Sequence, residues 1–87
     1  MLRLQVESKL SQNEVVEKAR DFFGPNGWGL EVTEFADCCA RFEGGGGQVY
    51  VQTSPRRGEK GEKRSGSTVE IQGREWERQI REFAGQI

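Results

Sequence analysis

Apolar residues recur at every second position in five short stretches of this chain. These are Leu2, Leu4 and Val6; Trp28, Leu30 and Val32; Cys38, Ala40 and Phe42; Val49 and Val51; and Val69 and Ile71. A period of two sends successive side chains to opposite faces of a strand, so each stretch describes a strand with one dry and one wet face. Five such strands need a cover for the dry face, and two intervening stretches have the helical period that could provide it.

The first of these opens on Ser11-Gln12-Asn13-Glu14, a capping box in which the serine oxygen accepts a helix N–H and the glutamate reaches back to the cap. Leu10 and Val15 stand where a hydrophobic staple would close. Val15, Val16, Ala19, Phe22 and Phe23 then fall within an arc of about 120°, the width of a core-facing stripe. The spacing predicts a helix ending near Phe23, with Gly24 in a left-handed C′ conformation and Pro25 barring continuation. Near the C-terminus, Gly73 is expected to cap a second helix whose Trp76, Ile80, Phe83, Ala84 and Ile87 cover about 100° of one face.

The central strands read as a meander. Pairing Leu30 with Phe42 and Val32 with Ala40 keeps both apolar sets on one face if the connection is odd, as in Phe35-Ala36-Asp37. Gly44 to Gly47 form a turn, after which Val49 faces Phe42 and Val51 faces Ala40. A strand follows these glycines, not a helix N-terminus, so they are not a phosphate cradle. Residues 54–66 hold two basic clusters, a near-repeat Gly-Glu-Lys-Gly-Glu-Lys and almost nothing apolar, and are expected to form a long flexible basic loop. The expected fold is α+β, in the order β-α-β-β-β-β-α: a five-stranded, largely antiparallel sheet with two helices packed on one face. At 87 residues the chain is read as a single domain, 1–87, that needs nearly every large apolar residue for its core.

Several function classes recede on composition. Thirteen basic and fourteen acidic residues give no general attraction to nucleic acid or anionic lipid. Histidine is absent, which removes the commonest general base and zinc ligand. No apolar run approaches the roughly 20 residues that span a bilayer, and Met1 leads straight into the first strand without a signal-peptide core. A cytoplasmic protein with reduced thiols is expected. Cys38 and Cys39, as neighbours on a strand, should point to opposite faces, Cys38 to the core and Cys39 to the wet side.

The element order resembles one half of the TATA-box-binding protein family and, more loosely, the helix-grip families, in which a curved sheet wraps a long C-terminal helix. The first resemblance implies DNA binding through the open sheet face, the second a small ligand held between sheet and helix. Read from its residues, that face carries Arg3 and Arg41 against Glu7, Glu31, Glu43 and Glu70. It also lacks the apolar wedges that kink a minor groove.

The candidate binding residues are therefore local. Arg56, Arg57, Lys60, Lys63 and Arg64 belong to a segment, 56–64, with five positive and two negative charges, which leaves the rest of the chain at minus four. It suits phosphates or an acidic protein surface, or is a solvated hairpin tip. Tyr50, Arg41 and Cys39 form a row on the wet face that offers an aromatic anchor and hydrogen bonds, or ordinary solvation. Trp28 and Trp76 each begin an apolar series and are assigned to the core. The residues thus point to a non-catalytic module that binds a protein partner or a second copy through its sheet face, an edge strand or the basic loop. The alternatives are nucleic-acid binding by that loop and a helix-grip-like ligand site. No enzyme activity, cofactor, metal site or membrane association is expected.

Overall fold

The computed structural model describes residues 1–57 and 63–87. Its elements are β1 (Leu2–Ser8), α1 (Gln12–Phe23), β2 (Glu31–Phe35), β3 (Cys39–Gly44), β4 (Gly47–Arg57), β5 (Lys63–Arg74) and α2 (Glu77–Ala84). The five strands make one antiparallel sheet in the order β1-β5-β4-β3-β2, so the expected α+β architecture holds. The last strand lies beside the first. β2 to β5 form a meander, and α1 carries the chain from one edge of the sheet to the other.

Val15, Val16, Ala19 and Phe23 of α1 and Ile80 and Phe83 of α2 are buried against Ala40, Phe42, Val49, Val51, Val69 and Ile71 of the sheet. Phe23 meets Phe42 of β3 at 5.6 Å between ring centroids and Phe83 of α2 at 5.4 Å, which ties both helices to the sheet at one point. Beyond Gly44 the chain reverses through Gly45 and Gly46, both at positive φ, as the tightest hairpin turn requires. Val49 then faces Phe42 and Val51 faces Ala40, as the alternation predicts.

Several expectations need correction. Trp28 and Leu30 are not in a strand: their N–H groups donate to the carbonyls of Phe22 and Phe23, closing the C-terminal end of α1. Trp28 is accordingly 46% exposed, outside the core. Gly24 is extended, with φ −70°, and it is Gly29, at φ 86°, that turns the chain into β2. The second strand therefore starts later. A bulge at Thr33 sets Val32 against Phe42 and Phe35 against Ala40, leaving the odd connection Ala36-Asp37-Cys38.

At the other end of the chain, Gly73 does not cap α2 but lies within β5, opposite Leu2 and Val49. A Cβ there would strike the Gln48 carbonyl and Ile80 Cδ1, so glycine is what lets α2 approach the sheet. Trp76 takes the N-cap position without a side-chain cap, and its indole N–H donates to the Gly44 carbonyl at 2.8 Å. Finally, residues 54–57 and 63–66 are strand, not loop; they continue β4 and β5 past the ends of their neighbours. Only 58–62, with Lys60, lie outside the described residues.

The capping box is present as expected. Glu14 N–H donates to Ser11 Oγ at 3.2 Å, and Ser11 N–H donates to Glu14 Oε1 at 2.9 Å. The backbone N–H of Ser11, and then its hydroxyl, hold the Glu14 carboxyl below its ordinary pKa against a smaller desolvation effect. The folded chain therefore binds this proton less readily than the unfolded chain. The contribution is present above the unfolded carboxylate pKa and is lost as pH falls through the folded one. Ser11→Ala should cost about 1 kcal/mol in urea denaturation at neutral pH. The stability difference between wild type and Glu14→Gln should shrink toward acid.

Candidate interaction surface

The dry face of the sheet is covered by the helices, which leaves the wet face, the two sheet edges and the far end of β4 and β5 as the exposed features. On the wet face the register sets Arg3, Gln72, Tyr50, Arg41 and Glu34 side by side across all five strands. The Arg41 guanidinium lies 5.0 Å from the Tyr50 ring centroid, so these two candidates meet as a cation–π pair. Cys39 follows on the same strand, opposite Gln52. Arg3 pairs with Glu70 at 3.1 Å. The face is a mesh of long polar side chains with mixed charge and no apolar groove among the described residues.

The candidates from the basic segment divide. Arg56 is half-buried at the bulge in β4 and pairs with Glu7 at 3.6 Å. Arg57 and Lys63 face one another as register partners, and Arg64 follows in β5. β3 pairs with β4 only as far as Gln52, and β1 with β5 only as far as Ser67. Residues 54–57 and 63–66 consequently make a two-stranded ribbon that projects beyond the sheet and carries the positive charge with it. Pro55 fits there because that side of β4 has no β3 partner to receive an N–H.

The cysteines correct a further expectation. Cys38 and Cys39 are joined to each other in a disulfide and are not free thiols. Cys38 is exposed in the β2–β3 connection, not buried, so strand alternation does not separate the pair. Its carbonyl accepts from Thr53 Oγ1 and from Thr53 N–H, both at 2.8 Å. Gln12 Nε2 in turn donates to Thr53 Oγ1 and to the Thr53 carbonyl, each at 3.1 Å. The start of α1, the cysteine turn and β4 are thereby fastened around an open cleft of about 500 Å³ lined by Ser11, Gln12, Asn13, Asp37 and Cys38. No cluster of His, Cys, Asp and Glu that could hold a metal ion occurs among the described residues.

The edges differ sharply. β2 is five residues long, bulged, and contains Glu31 and Glu34; its Phe35, 39% exposed, carries the Arg20 guanidinium 4.6 Å over its ring. β1 is seven residues long and pairs with β5 at every position without a break. Its inward Leu2, Leu4 and Val6 are only half-buried, whereas Val69 and Ile71 on the adjacent strand are fully covered. Sequence reasoning named an edge strand as a binding element without identifying it, because which strand lies at an edge depends on where β5 inserts. No family model, curated protein or solved structure matches the chain. Among the described residues no helix is long and apolar enough to cross a membrane.

Removing the Thr53 hydroxyl tests the cleft's architecture. Thr53→Ala leaves the Cys38 carbonyl its backbone donor and Gln12 its backbone acceptor. The cost should therefore stay near 1 kcal/mol by thermal or urea unfolding, and well short of that of an orphaned buried group.

Proposed function

We propose that this chain is a non-catalytic protein-interaction module that accepts an extended partner strand along the free edge of β1. The observation that carries the reading is the unblocked regularity of that edge. Sheet edges are ordinarily protected by bulges, prolines, inward-pointing charges or shortness; β1 has no bulge, proline or inward-pointing charge, its Arg3 and Glu7 lying on the wet face, whereas β2 is shorter and bulged. Strand addition would satisfy the outward backbone groups of Leu2–Ser8 and extend apolar cover over Leu2, Leu4 and Val6. Because the wet face has no apolar groove among the described residues, main-chain pairing is the mode of recognition best matched to this surface.

Amide exchange by NMR tests this. In dilute protein the amides of β1 that point away from β5 should exchange fast. Peptides selected for binding should carry apolar residues at alternate positions and protect those amides. Selected peptides that leave β1 exchange unchanged would overturn the reading.

The ribbon favours a second reading, binding to the phosphates of a nucleic acid. A two-stranded ribbon is narrow enough for a major groove, and the sequence places Arg56, Arg57, Lys63 and Arg64 on it. This reading expects binding to duplex DNA or RNA at low salt that falls with a slope of about −0.9 per phosphate neutralised, and that is lost in Arg56→Glu/Arg57→Glu. An absence of binding to single- and double-stranded probes at low ionic strength removes it.

A further inference from the structure

We infer that the strand added at β1 is β1 of a second copy of this chain, antiparallel and centred on Gln5. This inference rests on the strand-addition reading and deepens it. In that register Leu2 lies opposite Ser8 of the second copy, Arg3 opposite Glu7, Leu4 opposite Val6, and Gln5 opposite Gln5.

Two separate features select this register. It is the one antiparallel alignment in which every residue of Leu2–Ser8 finds a partner in the same segment. It is also the face-matched alignment that puts Arg3 directly opposite Glu7, and symmetry does so twice. Moving by two residues in one direction sets Leu4 against itself and Arg3 against Gln5; in the other, Arg3 meets Lys9. Moving by one residue sets apolar against wet positions and would turn the helices of the two copies to opposite faces.

The neighbours of these two residues extend the complementarity. Arg3 already bonds Glu70, and Glu7 is flanked by Arg56 at 3.6 Å. Across the dyad the charges would alternate as Glu70, Arg3, Glu7 and Arg56, the last two from the second copy. On the inner face, Leu4 and Val6 of each copy would cover the other's half-exposed pair. A ten-stranded antiparallel sheet results, with all four helices on one side and the two ribbons leaving from opposite ends.

Sedimentation velocity across a concentration series up to about 1 mM tests the contact, with circular dichroism to verify folding. The wild type should associate reversibly into dimers. Arg3→Glu and Glu7→Arg alone should each weaken association about tenfold, because each replaces two attractive cross-strand pairs by two repulsive ones. Arg3→Glu/Glu7→Arg together should restore it to within a few-fold. A local structural defect would not be rescued this way, since Glu70 and Arg56 remain in place. A protein that stays monomeric throughout, or a dimer indifferent to the single substitutions, or a double variant no better than either single, overturns the inference. If copies do not associate but selected peptides still protect the β1 amides, the second copy is wrong and strand addition stands. If neither binds at β1, both fall.

Discussion

Phe23 stands at the end of α1, touches Phe22, Phe42 and Phe83, and is fully buried. Both helices and the middle of the sheet converge on it, so the angle at which α1 crosses the strands and the place where α2 settles are fixed together. Much else follows from holding that point. The carbonyls of Phe22 and Phe23 take up the N–H groups of Trp28 and Leu30, which binds the start of β2 to the helix end. Gly73 opens the space through which Ile80 reaches the same core.

A core assembled around this centre leaves the margins unevenly served. The middle strands are sealed completely, while the layer thins toward β1, where the inward side chains stay half-exposed. Among the described residues no third helix covers this margin. A domain of this size can tolerate the deficit, hide it with local devices as at β2, or share it with another chain, and the lack of a bulge or proline at β1 argues for sharing.

The alternation of apolar residues read directly as the sheet, and the capping box and the Phe42–Val49 and Ala40–Val51 pairings appear as the local pattern implied. What the pattern could not separate was competition for backbone hydrogen bonds. Trp28 and Leu30 alternate like strand residues, yet the carbonyls at the end of α1 claim their N–H groups. Gly24 and Gly73 have the chemistry of caps, yet one is extended and the other is needed as a gap between helix and sheet. The basic segment looked unanchored because it holds so few apolar residues, whereas its ends continue through main-chain pairing, to which side-chain hydropathy is blind. Of the candidate residues, Arg41 and Tyr50 were legible as neighbours on one face. The cysteine pair was not, because its position relative to the β2–β3 turn depended on the Thr33 bulge.

The insertion of β5 between β1 and β4 also bears on how the molecule comes into being. Leu2 pairs with Gly73, far along the chain, and every native pairing of β1 is with β5. Closing so long a loop before any reward in contacts makes assembly slow compared with a helical chain of equal length. Among these five strands β1 is made before the others, and its neighbour in the sheet is not available until β5 has been completed. The segment with the freest edge in the finished fold is therefore also the one that waits longest, unpaired, for its own sheet.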